Sequence, residues 1–291
     1  MENFDVIIIG KGPAGISASL YTLRAGCKTA IVAKDGGALE KADRIENYYG
    51  IESITGRELI SRGVNQAKSL GAEIFESEVV SLAFDGLFCV RTTETTLKGR
   101  SLILATGAGR MLPDVRNLGD FVGKGVSLCA TCDAFFFRNK KVAVIGSGAY
   151  ALEEVKALSN SDVTVLTDGE AATVDFSDYK TVDKKIKSVE GDGRIEKVVF
   201  CDGSELPVDG IFVAVGQAGS VELATKLGAV TMPHKLDYLS RYVQIDEFCA
   251  TNVPGLFAAG DCTDGLKQVS KAVADGAVAG TSAARYLKHN R

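Results

Sequence analysis

Only five prolines interrupt this 291-residue chain, and neither sign of charge dominates it: 33 lysines and arginines stand against 37 aspartates and glutamates, a formal net charge of −4. With 46% hydrophobic and 24% charged residues, the chain is not a disordered or low-complexity polymer, which has too little apolar surface to offset the entropy of ordering. The want of a basic excess argues against a general nucleic-acid binder. No apolar run approaches the roughly 20 residues that span a bilayer. Met1-Glu2-Asn3-Phe4-Asp5 leads straight into strand-like Val6-Ile7-Ile8-Ile9 with no signal-peptide pattern. A cytoplasmic protein with no membrane association and no nucleic-acid partner is expected.

Closely spaced cysteines are scarce as well. Seven, an odd number, are scattered along the chain, and only Cys129 and Cys132 lie near each other. That is unlike the dense framework of a secreted disulfide scaffold and fits a reducing compartment. There is no second CxxC, and the histidines are only His234 and His289, so a four-ligand zinc site lacks its ligands and no metal is expected.

What is present is organised as two βαβ openings. The first runs from strand-like 6–9 through Gly10-Lys11-Gly12-Pro13-Ala14-Gly15 and a helix over 14–25 to a strand at 29–33. The second runs from 142–145 through Gly146-Ser147-Gly148-Ala149-Tyr150-Ala151 and a helix through Leu158 to a strand at 163–166. Strands ending in turns at Thr106-Gly107-Ala108-Gly109 and at Gly260-Asp261 should approach a ligand, and small and apolar residues recur at helical spacing over 267–288. The expected fold class is α/β, with two Rossmann-like nucleotide-binding domains, the second inserted into the first. Residues 1–114 and 246–291 would form the outer domain and 115–245 the insert.

The chemistry follows from the motifs. Gly10 allows a tight turn, Gly12 lets a diphosphate approach the backbone, Gly15 permits close helix packing, and the helix N-terminus offers N–H groups to the anion. The usual ribose-binding acid is replaced by Ala33, and the nearest carboxylate is Asp35, a ribose ligand or an ordinary turn residue. Cys129-Ala130-Thr131-Cys132 can close a small disulfide and exchange it with a partner's. Asp133 can shuttle the proton each released thiol requires, or simply cap the next element. Cys27, Cys89, Cys201 and Cys249 are expected to be small buried hydrophobes, and Cys262, just after Gly260-Asp261, to sit near the cofactor without a redox partner. Asp261 could hold a ribityl or ribose hydroxyl, and the helix beginning near Lys267-Gln268-Val269 would set partial positive charge where a reduced flavin is negative.

In their order and spacing these segments, together with Ile45-Glu46-Asn47-Tyr48 and Ile54-Thr55-Gly56, resemble the low-molecular-weight thioredoxin reductases over essentially the whole chain. The resemblance implies that Gly10, Gly12, Pro13, Ala14, Gly15, Asn47, Thr106, Gly107, Gly260, Asp261, Gln268 and Val269 surround FAD, with Lys267 in the place of an arginine. It implies that Cys132 faces the flavin, that Cys129 attacks thioredoxin, that Asp133 is the acid/base, and that the protein is a homodimer.

The departures matter equally. Gly36-Gly37-Ala38 replaces a flavin-side Gly-Gly-Gln turn. Where NADPH-dependent members carry a basic run after the second domain's second strand, this chain has Thr167-Asp168-Gly169-Glu170-Ala171-Ala172, whose carboxylates would repel a 2′-phosphate. Without the family, Asp168 would suggest a ligand for the 2′-hydroxyl of NADH. The segment that follows is shorter than the family leads one to expect, and Asp175-Phe176-Ser177-Asp178-Tyr179 is a poor helix. The pattern is most similar to the clostridial ferredoxin-dependent flavin thioredoxin reductases, which makes ferredoxin the expected donor and NADH or NADPH the alternative. Arg138, Lys140 and Lys141, or Lys184, Lys185 and Lys187, are candidate steering groups for an acidic ferredoxin. A flavoprotein using the dithiol as a stoichiometric switch is the other class, separated by turnover.

Overall fold

The computed structural model describes residues 2–108, 112–233 and 241–290. Gly109, placed above in a ligand-facing turn, and His234 lie outside them. The chain divides into two compact units, Met1–Gly109 with Gly219–Arg291, and Arg110–Ala218. The return to the first unit therefore comes at Gly219, well before the expected 246. The reason lies in tertiary contacts: the Ser220 hydroxyl bonds that of Thr106, and Val243 N–H donates to Cys262 O, so the segment after 218 is tied to the first unit's strand ends.

The first unit is built on β1 (Glu2–Ile9), β2 (Thr29–Val32), β3 (Glu73–Phe75), β4 (Val79–Phe84), β5 (Phe88–Thr92) and β6 (Thr96–Leu104), with α1 (Pro13–Arg24) and α2 (Gly56–Ser69) between them. These strands lie in the order β3-β2-β1-β6-β5-β4. The β3-β2-β1-β6 portion is parallel, while β4 and β5 fold back antiparallel. Val6, Ile7 and Ile8 are wholly buried, as a parallel strand covered on both faces requires.

The second unit carries β7 (Val126–Ser127), α3 (Ala130–Asp133), β8 (Lys141–Ile145), α4 (Ala149–Ala157), β9 (Asp162–Leu166), β10 (Lys180–Val182), β11 (Ile186–Glu190), β12 (Lys197–Phe200), β13 (Glu205–Pro207) and β14 (Gly210–Val213). Its main sheet is parallel in the order β10-β9-β8-β14-β7, and β11-β12-β13 form a separate antiparallel sheet. The connection from β9 to β10 contains no helix among the described residues.

Back in the first unit come α5 (Ser220–Lys226), β15 (Thr231–Pro233), β16 (Arg241–Val243), β17 (Leu256–Ala258) and α6 (Val269–His289). β17 pairs with the C-terminal part of β6, Leu256 opposite Leu102, and so completes the first sheet. α6 packs against α1 through Gly276 and Gly280, where a Cβ would lie 2.2 Å from Ala14 O and 2.3 Å from Ala18 O. The two helix-interior glycines thus exist for backbone contact. No helix among the described residues is long and apolar enough to cross a membrane.

Candidate functional site

Three glycines of the first turn serve two purposes, close backbone contact and open space. Gly10 has φ +112°, and a Cβ there would fall 2.2 Å from Ala105 O; a Cβ on Gly15 would fall 1.9 Å from Gly10 O. Both positions bring backbone against backbone. A Cβ on Gly12 would meet nothing within 4 Å, so the turn presents clear space at the N-terminus of α1, with Pro13 at the helix start where its missing N–H costs nothing. Gly260, with φ +83°, sits so close that a Cβ would lie 2.9 Å from Ala14 Cβ, which puts the end of β17 beside the same helix start.

Other expected cofactor residues gather in this unit. Asn47 Nδ2 donates to Gln268 Oε1 at 2.9 Å, and Gln268 caps α6, which begins at Val269. Thr106 is held through Ser220, and Gly107 turns the chain at φ +78°. Burial pushes the Asp261 carboxyl up, an effect opposed by the charges of Lys267 and Lys271. Asp35 is placed differently: its Oδ1 accepts Gly37 N–H at 2.9 Å, closing its own turn. Clear space over Gly12, a second helix start at Val269 and a carboxylate at the strand end are groups that could hold FAD, the start of α1 offering N–H groups to a diphosphate.

In the second unit Cys129 and Cys132 form a disulfide with Cα atoms 5.4 Å apart. Cys129 is the N-cap of α3, and its Sγ accepts Cys132 N–H at 3.3 Å. Cys132 is exposed and Cys129 buried. Sequence reasoning missed the groups that hold this loop. Ser127 Oγ donates to Asp133 Oδ2 at 2.6 Å and accepts Cys129 N–H at 3.1 Å. Glu154, buried on α4, accepts Ala130 N–H through Oε2 at 2.6 Å. Spacing cannot reveal Glu154, which reaches the loop from α4 through the fold, whereas Ser127 stands only two residues before Cys129 and could have been weighed from its proximity. Phe135 and Phe136 are each 66% exposed, packed edge to face on one another, with the Arg138 guanidinium 4.6 Å from the Phe135 ring centre.

The second glycine turn has a different character. Gly146 repeats the tight approach, a Cβ there falling 2.4 Å from Ala214 O. At the start of α4, however, the chain folds over itself: Thr173 N–H donates to Ser147 O at 2.8 Å, and Thr173 Oγ1 is the nearest atom to a Cβ on Gly148, at 3.5 Å. Asp168, in the left-handed region at φ +55°, accepts Ile186 N–H at 2.6 Å and Lys185 Nζ at 2.7 Å. Both of its carboxylate oxygens are thus engaged by the start of β11. Lys184 pairs with Asp202 at 2.7 Å and holds that carboxyl below the usual range. Two of the lysines considered for steering therefore carry carboxylates of their own.

The remaining thiols differ sharply in environment. Cys262 is fully buried and pushed up to about 11, chiefly by burial; Cys249 is pushed up to about 12 by burial and then by the Asp275 charge. Cys201 is exposed. In native, oxidised protein a disulfide reagent such as Ellman's is expected to label Cys201 promptly at pH 8 and to reach Cys249 and Cys262 only after denaturation, since the thiolate is the reactive form. Labelling of Cys249 or Cys262, mapped by peptide mass, before unfolding would contradict this.

Residues 4–276 match the model of the family described as pyridine nucleotide-disulphide oxidoreductase. The chain belongs to that family: it is a flavoprotein disulfide oxidoreductase, and its cofactor is FAD. Among relatives, it is 34% identical over 307 residues to the thioredoxin reductase of Listeria innocua, covering 98% of this chain and 94% of that one. Among solved structures, it is similar to the atypical thioredoxin reductase TRi of Desulfovibrio vulgaris Hildenborough, with 37% identity, TM-score 0.88 and 98% of each chain covered. It is also similar to the ferredoxin-flavin thioredoxin reductase of Clostridium acetobutylicum, with 29% identity, TM-score 0.72 and 99% of each chain covered.

Proposed function

We propose that this protein is a thioredoxin reductase that takes its electrons from reduced ferredoxin. The observation that carries the choice of donor is the self-occupied second turn. A dinucleotide docks its diphosphate over such a turn and offers its ribose to an acid at the next strand end. Here Thr173 lies over Ser147–Gly148 and Asp168 is bound to Lys185 and Ile186, so hydride donation lacks its platform. The similarity to a ferredoxin-flavin thioredoxin reductase supports the same reading.

FAD, when bound, takes up electrons singly and supplies the pair that reduction of a disulfide needs. The residues of the second unit do the rest. In the dithiol form, the Cys132 thiolate attacks the thioredoxin disulfide, breaking its S–S bond and forming a mixed disulfide. The Cys129 thiolate then attacks Sγ of Cys132, restoring the Cys129–Cys132 bond and releasing the second thioredoxin thiolate. Asp133 takes up or supplies the protons of these thiols. The resemblance assigns the first attack to Cys129; its burial and the exposure of Cys132 support the opposite order, since a partner's disulfide must reach the attacking sulfur. Exposed Phe135 and Phe136, two aromatic rings next to the exchange centre, offer a docking surface.

The donor is tested by anaerobic titration of the oxidised protein with NADPH, NADH and reduced ferredoxin separately. Flavin absorbance is expected to bleach rapidly with ferredoxin alone. Bleaching by NADPH or NADH at the rate of thioredoxin turnover, and faster than with ferredoxin, would overturn the assignment.

A further inference from the structure

We infer that Ser127 is a positioning residue of the dithiol centre, holding the Asp133 carboxylate in one fixed geometry with the same oxygen that receives the Cys129 N–H. The inference rests on reading Cys129, Cys132 and Asp133 as the exchange centre.

Ser127 ends β7, which pairs in the sheet with β14, Ser127 opposite Phe212. It is 6% exposed, and its side chain points away from water into the loop that carries the cysteines. A serine hydroxyl has one proton to give and lone pairs to receive with. The donated bond goes to Asp133 Oδ2 at 2.6 Å, while the contact to Cys129 O is longer, at 3.3 Å; the nearer acceptor takes the proton. The received bond comes from Cys129 N–H at 3.1 Å. One buried oxygen therefore links the acid/base residue to the backbone of a redox cysteine, and it does so from the end of a sheet strand.

The consequence is kinetic. Asp133 closes a four-residue helix, and without an anchor its carboxylate would sample several rotamers. Each exchange step needs a proton taken from a thiol of this protein or given to a thiolate of thioredoxin, and misplacement of a catalytic group by about 1 Å can cost on the order of 10²-fold. Ser127 touches neither substrate nor a reacting sulfur, so it acts through Asp133.

The test uses holoprotein reduced with dithiothreitol, freed of excess reductant and mixed anaerobically with oxidised thioredoxin in a single turnover, so that the electron donor plays no part. Ser127→Ala is expected to lower the limiting rate about 10- to 100-fold, with the half-saturating thioredoxin concentration changed less than about threefold. Ser127→Thr and Ser127→Val compare a hydroxyl with a methyl at nearly equal volume: the threonine variant should recover most of the rate and the valine variant should not. In an Asp133→Asn background, Ser127→Ala should cost less than about threefold, because the group it positions has already been disabled. An unchanged rate in Ser127→Ala, equal loss in the threonine and valine variants, or the same fold-loss with and without Asp133 would each overturn the inference. Exchange at full rate by a Cys129→Ser/Cys132→Ser double variant would instead refute the exchange centre itself, whatever Ser127 does.

Discussion

Replacing Cys129 with serine is expected to abolish turnover and to trap thioredoxin as a stable mixed disulfide through Cys132. Two thiols are needed to return a disulfide to its reduced partner: one to attack and one to resolve. With Cys129 gone, the exposed Cys132 sulfur can still engage thioredoxin but nothing in the loop can release it. The reciprocal Cys132→Ser variant should also fail to turn over, and it should capture thioredoxin poorly, because Cys129 is buried and packed at the helix start. Non-reducing gels followed by peptide mapping of the cross-link decide the order of attack. Capture through Cys129 in the Cys132→Ser variant alone would restore the assignment that the family resemblance implies.

A second large effect is expected at the first glycine turn, where two substitutions of similar size should fail for opposite reasons. Gly15→Ala places a Cβ 1.9 Å from Gly10 O, a clash of backbone with side chain that the turn can relieve only by moving. The cost should be at least about 1–3 kcal/mol, visible as a lowered melting temperature of the apoprotein as well as loss of flavin. Gly12→Ala adds its Cβ to space with nothing within 4 Å. Its apoprotein should melt within a degree or two of the parent, yet the methyl occupies room the diphosphate needs, and FAD affinity should fall about 10-fold or more, equivalent to roughly 1.4 kcal/mol. Flavin-to-protein absorbance ratios and apoprotein melting curves check both. A Gly12→Ala protein that keeps full flavin affinity would show that the diphosphate does not approach this turn.

Much of the architecture was legible in the sequence because it is carried by local patterns. The buried run from Val6 to Ile9, the glycine turn and the helix after it are all contiguous. β1 ends at Ile9 as expected but begins four residues earlier, at Glu2, while the structure places α1 and β2 within a residue of the expected limits. The same holds for β8, α4 and β9. The lack of a helix between β9 and β10 was likewise foreseeable from the unpromising segment Asp175 to Tyr179. The later domain boundary was not legible. Nothing in the composition near Gly219 marks it, and it is decided by the Thr106–Ser220 and Val243–Cys262 bonds, which join residues far apart in the chain.

For the site the division is similar. The sequence by itself determined which groups could do chemistry: the Cys129/Cys132 pair, the neighbouring Asp133, the first glycine cradle, and the loss of basic residues after β9. These depend on residue type and short spacing, which the covalent chain sets. Tertiary structure alone decided how those groups are held and reached. It turned Asp35 onto its own backbone, engaged Asp168 with Lys185 and Ile186, laid Thr173 across the second turn, brought Glu154 from α4 to the dithiol loop, and aimed the neighbouring Ser127 at Asp133. It also exposed Cys132 while burying Cys129. Hydrogen bonds and burial of this kind link positions whose separation in sequence is arbitrary, so only the closed sheet and its packed helices specify them.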